Sequence, residues 1–209
     1  VYAVAGHLWA LEKGVRYDKQ DLNRLWTVDL IADLWAENSK ESEDTEQQRA
    51  IFKIVSDILK KETGPFYFVD LHTTSSESIP FLTVNDSLLN RKYAMQYPVP
   101  MILGVEEYLE GPLLSYLNER GYVSFGFEGG QHDSREAIDN HVAFIYLTLA
   151  YTGVTTEVPV KEHYQKLAAT AKSSAMVFEI YFRYNIEDDE DFVMMPGFVN
   201  FQRYQKGMT

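Results

Sequence analysis

The sequence predicts an α/β fold in which helices cover both faces of a sheet. Residues 66–71, 101–104 and 122–127 form short, largely apolar and aromatic runs, which are typical of strands buried on both faces. Segments with helical periodicity lie between and after these strands. Because buried strands alternate with helices along the chain, we expect a layered α/β sheet.

Local signals predict the individual elements. Residues 1–6 are apolar and end in a glycine, which predicts a buried strand, and a short helix over 8–13 should end at Gly14. Residues 37–48 are polar and acidic and predict a solvated loop that leads into a helix ending at 63–65. That helix has an apolar face at amphipathic spacing, formed by Ile51, Ile54, Val55, Ile58 and Leu59. Further helices are predicted over 87–95, 113–119 and 135–151.

The pattern changes beyond Gly153. Residues 154–172 predict a linker and a short helix, and strands are predicted over 177–184 and 192–204. We therefore expect an α/β domain over 1–153, the linker and helix over 154–172, and the start of a small β domain over 173–209. Because the sequence begins within strand-like residues and ends without a closing helix, we also expect part of both natural termini to be missing.

Composition excludes several kinds of site. The 209 residues include no cysteine, so disulfide scaffolds, cysteine-ligated zinc and thiol nucleophiles are excluded, and a transition metal would need His, Asp or Glu ligands. The net charge of -12 argues against a nucleic acid or an anionic membrane as partner, because both favour a basic surface. No apolar run reaches the roughly 18 residues of a membrane-spanning helix. A small basic pocket for an anionic substrate remains compatible with this composition.

Polar side chains directly after predicted strands are the first candidates for a site, since ligands of open α/β sheets bind beyond the carboxyl ends of the strands. His72 follows the strand over 66–71 and offers an imidazole, a common zinc ligand; a hydrogen-bonded structural role is the alternative. Glu128 follows the strand over 122–127 and precedes two glycines. Partial burial would suit this carboxylate to accept a proton from a water activated by a metal, and a turn or helix-capping role is the alternative.

A third candidate is the polar segment that contains Arg16, Asn23 and Arg24. Two guanidinium groups and an amide could bind a carboxylate, because the planar arginine fork matches its two oxygens. Surface solubility combined with an Asn/Asp turn is the alternative. His7 and His132 are weaker candidates for positions near the site.

Several segments occur together in a characteristic order: residues 6–17, Asp21-Leu-Asn-Arg24, Asp70-Leu-His72-Thr-Thr and Phe127-Glu128-Gly-Gly. They resemble the GNxxAxxxxxRY…DLNR, DLHxT and ExG segments of the succinylglutamate desuccinylase/aspartoacylase family, a branch of the zinc carboxypeptidase-like fold. Residues 178–207 are similar to the opening of that family's C-terminal β domain. His7 stands where the family usually has Asn.

The resemblance implies a mixed, mostly parallel sheet and a zinc-dependent hydrolase that cleaves an amide bond beside a carboxylate, such as that of an N-acyl amino acid. It implies His72 as a zinc ligand, Glu128 as the general base, Arg16 as the group that stabilises the oxyanion, and Asn23 and Arg24 as the groups that bind the substrate carboxylate. One zinc ion per chain is implied. Because catalytic zinc sites use three protein ligands, the family's HxxE motif is expected upstream of this sequence.

Two other functions stay open at this point. A metallocarboxypeptidase acting on peptide C-termini would use the same arginine-containing segment, since its substrates also carry a carboxylate beside the amide. A non-catalytic binding domain derived from the enzyme fold is the other. We further expect a cytoplasmic protein with a small carboxylate-bearing substrate, no nucleic-acid or membrane partner, and a homo-oligomer as one option.

Overall fold

The computed structural model describes residues 1–36, 41–172, 176–187, 189–205 and 207. They divide into two compact units. The first unit contains Val1–Phe68 and Glu106–Ser124, and the second contains Val69–Val105 and Phe125–Thr209.

The structure confirms the predicted α/β class, with a mixed sheet. Among the described residues the helices are α1 (Leu8–Lys13), α2 (Val28–Asp33), α3 (Glu43–Lys61), α4 (Leu88–Ala94), α5 (Leu113–Glu119), α6 (Arg135–Tyr151) and α7 (Val160–Thr170). The strands are β1 (Tyr67–Thr74), β2 (Phe81–Val84), β3 (Met101–Leu103), β4 (Val123–Gln131) and β5 (Val177–Glu179). Single 3₁₀ turns occur at Leu22–Arg24 and Val105–Glu107.

Local interactions explain where the helices of the first unit begin and end. α1 ends at Gly14, whose φ of 65° is the left-handed conformation that terminates many helices. α3 begins after Ser42, and the side chains of Ser42 and Thr45 each accept a hydrogen bond from the other residue's backbone N–H. Further along α3, Ile51 is buried with Trp26 in the apolar core of this unit.

The five strands lie wholly or mainly in the second unit and form one sheet in the order β1-β4-β2-β3-β5. β2 runs parallel to β3 and β3 parallel to β5, whereas β2 and β4 are antiparallel. Helix α6 packs against β4, since the ring of Phe127 stacks on that of Phe144 with 4.1 Å between centroids. Both rings are fully buried, so this stacked pair is part of the core of the unit.

Several predicted strands are wrong. Residues 1–6 form no strand and are exposed, and residues 177–184 contribute only the short β5. No strand is described over 192–204. A strand needs a neighbour for its backbone N–H and C=O groups, and an apolar run in the sequence does not reveal whether that neighbour exists. Conversely, β2 and α2 have no counterpart in the predictions.

The predicted domain boundaries after residues 153 and 172 remain predictions. β5 joins the sheet through β3. Residues 37–40 of the predicted loop lie outside the described residues, as do 173–175, 188, 206 and 208–209 of the predicted β region. No helix in the described part of the chain is long and apolar enough to cross a membrane.

Candidate functional site

Asp21 links two of the three predicted carboxylate-binding residues in the first unit. Its Oδ2 accepts a hydrogen bond from Arg16 Nε at 2.9 Å and lies 2.8 Å from Arg16 Nη2. Its Oδ1 accepts from the backbone N–H of Asn23 at 2.9 Å and so begins the 3₁₀ turn. Burial alone would raise the pKa of the Asp21 carboxyl, but the Asn23 N–H and the Arg16 guanidinium hold that pKa below its usual range. Asp21 is therefore ionised at neutral pH and orients Arg16.

Asn23 and Arg24 are held by backbone groups of the same unit. Asn23 Oδ1 accepts from the backbone N–H of Leu113 at 3.0 Å, at the start of α5. Because this bond uses the amide oxygen, Nδ2 is the donor that Asn23 can offer a ligand. Arg24 Nη1 donates to the carbonyl oxygen of Asn23 at 2.7 Å, and both residues are half-buried. Residues 16–24, named here the carboxylate-binding segment after the role predicted from the sequence, thus carry two guanidinium groups and one amide on one short stretch of chain.

Gly111 packs directly against the backbone of Arg24. Its φ of 78° is left-handed, and a Cβ atom added there would lie 2.6 Å from the carbonyl carbon of Arg24. The Gly111 carbonyl also accepts from the backbone N–H of Trp26 at 3.0 Å, so this loop cannot move without losing that bond. We expect Gly111→Ala to lower the free energy of unfolding by about 3 kcal/mol, from backbone strain plus the steric clash. Denaturant titration measures this loss.

Gly121→Ala is the matched control in the same unit. Gly121 has a φ of 85°, but nothing lies within 4 Å of the position its Cβ would take. We therefore expect this variant to lose only about 1 kcal/mol, the cost of the left-handed conformation. Equal losses in the two variants would contradict the proposed contact between Gly111 and Arg24.

His72 lies within β1, in the second unit, and not beyond the end of the strand as predicted. The strand continues to Thr74, whose carbonyl accepts from the backbone N–H of His132 at 2.8 Å. β1 is only half-buried, whereas a fully buried strand was predicted, because it stands at one end of the strand order. Thr73 Oγ1 lies 2.6 Å from His132 Nδ1, which places His132 beside this strand.

Asp70 and His72 are two residues apart and share one face of β1. Asp70 Oδ2 lies 2.8 Å from His72 Nε2, and the His72 side chain is 43% exposed. A carboxylate at one ring nitrogen is the arrangement that orients metal-binding histidines, since it sets the tautomer and the direction of the ring. The pair therefore fits the chemistry of one metal ligand.

Glu128 lies inside β4, and not in a turn after it as predicted. The strand continues to Gln131, three residues beyond Glu128, which pairs with Phe81 of β2. The glycines that follow Glu128 in sequence are therefore strand residues, and the sequence signal for a turn was misleading.

The environment of Glu128 follows from the alternation of side chains along β4. Phe127 stacks on Phe144 of α6, and a Cβ atom on Gly129 would collide with the imidazole of His141 on the same helix. Both neighbours of Glu128 thus face α6, so Glu128 lies on the other face of the sheet. It is half-buried, and its Oε2 atom is shielded from solvent.

β1 and β4 are neighbours in the sheet, so His72 and Glu128 come from adjacent strands. Among the described residues, no group of three or more His, Asp or Glu side chains is close enough together to hold a metal ion. The described chain therefore fits a zinc site through one oriented imidazole and does not complete the site by itself.

Three aspartates that organise these groups are missing from the predicted site. Asp21 and Asp70 each stand two residues before a group that they contact, the backbone N–H of Asn23 and the imidazole of His72, and this spacing is visible in the sequence. Asp44, which accepts hydrogen bonds from the backbone N–H groups of residues 18–20, has no comparable signal, because it stands among other acidic residues in the first turn of α3.

The first unit also contains a cavity of about 340 Å³ that none of the predicted site residues lines. Its walls are mainly aromatic and aliphatic and include Trp26, Phe52, Leu113 and Tyr116. The guanidinium of Arg120, at the same cavity, lies 3.4 Å from the centre of the Tyr116 ring. Side-chain chemistry, rather than cavity size, therefore identifies the candidate site.

A comparison with family models gives one match. Residues 1–128 match the succinylglutamate desuccinylase/aspartoacylase catalytic domain. No curated protein matches the sequence significantly.

Solved structures share the fold at low sequence identity. The succinylglutamate desuccinylase from Vibrio cholerae has a TM-score of 0.62 and 14% identity, covering 98% of this chain and 58% of its own. The succinylglutamate desuccinylase from Chromobacterium violaceum has a TM-score of 0.55 and 15% identity, covering 90% of this chain and 61% of its own. The succinylglutamate desuccinylase/aspartoacylase from Rhodobacter sphaeroides has a TM-score of 0.54 and 19% identity, covering 74% of this chain and 45% of its own. The chain thus spans between 45% and 61% of the length of these structures.

Proposed function

Because the chain belongs to the succinylglutamate desuccinylase/aspartoacylase family, we propose that it is part of an enzyme that hydrolyses an amide bond beside a carboxylate, with an N-acyl amino acid as substrate. The observation that best supports this proposal is the carboxylate-binding segment, in which Asp21 joins Arg16 to Asn23 and Arg24 donates to Asn23. Residues 16–24 contain three basic side chains (Arg16, Lys19 and Arg24) and two acidic ones (Asp18 and Asp21), a local excess of one positive charge in a chain of net charge -12. Such a site favours an anionic group on the substrate.

The side chains of the segment have separate roles in this proposal. Asn23 donates through Nδ2 to the substrate carboxylate, and the planar guanidinium of Arg24 donates to the same group. Arg16 stabilises the negative charge that develops on the amide oxygen when water attacks. Asp21 holds the Arg16 guanidinium in place while this charge forms.

Glu128 is proposed as the general base. It takes a proton from the attacking water, whose oxygen bonds to the amide carbon, and returns that proton to the amide nitrogen as the C–N bond breaks. The products are a carboxylic acid and an amine. The half-buried position of Glu128 on a strand supports this role, since a strand holds the carboxylate in a defined direction.

His72 is proposed as a zinc ligand, oriented by Asp70. One imidazole is not sufficient, because catalytic zinc sites use three protein ligands. We propose that the other two lie upstream of Val1, in the HxxE motif that the family resemblance implies. When bound, zinc would polarise the amide carbonyl and lower the pKa of a water to about 7.

The proposal is tested with the full-length protein, its zinc content measured, and a panel of N-acyl amino acids and peptides with free C-termini. Hydrolysis of N-acyl amino acids is the expected result. Activity confined to the peptides would replace the proposal with a carboxypeptidase. Absence of stoichiometric zinc together with no hydrolysis of either class would overturn it in favour of a binding domain.

We expect Arg24→Ala to raise KM for an N-acyl amino acid by about 30-fold, since a charge-assisted hydrogen bond contributes about 2 kcal/mol. The melting temperature should change by less than about 3 °C, because the guanidinium donates to the neighbouring Asn23 carbonyl rather than to a distant residue. Steady-state kinetics and thermal unfolding measure the two effects.

Arg91→Ala is the control for Arg24→Ala. Arg91 forms an ion pair with Asp86, at 2.5 Å from its Nε and 2.6 Å from its Nη2, and has no role in the proposed site. Its removal should leave KM unchanged. A large drop in melting temperature with KM unchanged in Arg24→Ala would show that Arg24 is a structural residue.

A further inference from the structure

The side chain of Asp44, on the first turn of α3, contacts the backbone of the carboxylate-binding segment. It is 1% exposed and accepts hydrogen bonds from three consecutive backbone N–H groups. Its Oδ1 accepts from Asp18 at 2.9 Å, and its Oδ2 accepts from Lys19 at 2.7 Å and from Gln20 at 2.9 Å. His7 Nε2 donates to Oδ1 at 2.7 Å.

The negative charge of Asp44 is stabilised by hydrogen-bond donors from the segment backbone and from His7. His7 Nδ1 accepts from the backbone N–H of Ala10 at 3.3 Å, so the ring proton is on Nε2, from which it is donated to Asp44. Burial alone would raise the pKa of Asp44, but the three backbone N–H groups and His7 lower that pKa to about 2. Asp44 is therefore a buried carboxylate that is ionised at every pH at which the protein would work.

Two more bonds join the same part of the segment to the start of α3. Asp18 Oδ2 accepts from the backbone N–H of Glu43 at 3.4 Å, and Lys19 Nζ donates to the carbonyl of Glu41 at 2.9 Å. Residues 18–20 are followed directly by Asp21, which orients Arg16 and begins the turn that carries Asn23 and Arg24. The position of residues 18–20 therefore determines where that turn begins.

We propose that Asp44 is a positioning residue that sets the selectivity of the site for substrates with a carboxylate. By holding the N–H groups of residues 18–20, it keeps Asp21 in place, and Asp21 in turn holds the backbone of Asn23, whose side chain binds the substrate carboxylate in the proposed function. This inference rests on the proposed function. Asp44 itself contacts no substrate and transfers no proton.

A structural role and a positioning role predict different results. A carboxylate that only stabilises the fold would affect all substrates equally when it is removed. A positioning carboxylate affects chiefly those substrates that carry the group bound by the segment. The comparison therefore needs two substrates that differ only in this group: an N-acyl amino acid and the same compound with its carboxylate capped as a primary amide.

The experiment uses the full-length protein with Asp44→Asn, which keeps the shape of the side chain and removes its charge. For each protein, kcat/KM for the acid is divided by kcat/KM for the amide-capped compound. This ratio should be about tenfold lower in Asp44→Asn than in the wild type, mainly because KM for the acid rises. Glu43→Gln is the matched control, since it removes an acidic charge from the same helical turn. The control should keep the wild-type ratio.

Two results would overturn the proposal: an unchanged ratio in Asp44→Asn, or an equal fall in Glu43→Gln. Amide hydrogen exchange at residues 18–20 separates this failure from a failure of the proposed function. Unchanged exchange in Asp44→Asn refutes the positioning role itself. If exchange is faster in Asp44→Asn but the wild-type protein cleaves neither compound, the proposed function is refuted and the contact between Asp44 and the segment remains established.

His7→Ala replaces Asp44→Asn if the latter does not fold. It removes one partner of Asp44 and leaves the backbone bonds, so we expect a smaller loss of the same ratio, about threefold. An unchanged ratio in a folded His7→Ala variant would then overturn the proposal.

Discussion

Replacing Glu128 by Gln is expected to lower kcat for amide hydrolysis by about 10³-fold, within the range that a positioned general base contributes. Gln has nearly the same shape as Glu, so it can hold a water molecule but cannot accept its proton. KM should stay within about twofold, because in this proposal Glu128 does not bind the substrate carboxylate. Steady-state kinetics on the full-length zinc-loaded protein measures both constants.

Glu179→Gln is the control for this variant. Glu179 is an exposed carboxylate on β5 of the same sheet, so its replacement makes the same chemical change without touching the proposed site. Its kcat should equal that of the wild type. Hydrolysis at the wild-type rate in Glu128→Gln would exclude Glu128 as the base and leave the attacking water to be activated by another group.

Replacing Arg16 by Ala is expected to lower kcat by about 10²-fold to 10³-fold, the usual effect of removing one group that stabilises a developing oxyanion. Stability should hardly change. The Arg16 side chain is 70% exposed, and an exposed ion pair such as that with Asp21 contributes only about 0–1 kcal/mol. Kinetics and thermal unfolding on the same preparations separate the two effects.

Arg16→Lys refines this test. Lysine keeps the positive charge but cannot form the two contacts that Arg16 Nε and Nη2 make with Asp21. We therefore expect an intermediate kcat, about tenfold below that of the wild type. A loss confined to KM in both variants would instead assign Arg16 to binding of the substrate carboxylate, together with Arg24.

Helices were the elements best predicted from the sequence. α5 and α6 have the predicted bounds, and in α6 the buried side chains recur at intervals of three and four, at Ala137, Asn140, Phe144 and Leu147. A helix satisfies its own backbone hydrogen bonds within four residues, so the information that specifies it is local.

Strands were predicted less well because their hydrogen bonds come from other segments. Residues 1–6 have the apolar pattern of a buried strand but are exposed, whereas the four residues of β2 are mostly buried between β4 and β3. The position of Glu128 was mispredicted for the same reason. The sequence suggested a turn at Glu128, whereas β4 continues through this residue.

The sequence by itself predicted which side chains bind a carboxylate, and it determined the spacing of the residues that carry them. Asp21 and Asn23 are two residues apart, and chain connectivity alone keeps such residues within hydrogen-bonding reach. Only the tertiary structure showed that Asp44 and Gly111 hold this segment. Asp44 is 24 to 26 residues away in sequence from the N–H groups that donate hydrogen bonds to it. Nothing in the sequence around Asp44 distinguishes this buried acid from the exposed acid Glu46 on the same helix. Contacts between residues so distant in sequence form only when separate elements pack together, so their energy depends on the whole fold and not on any local pattern.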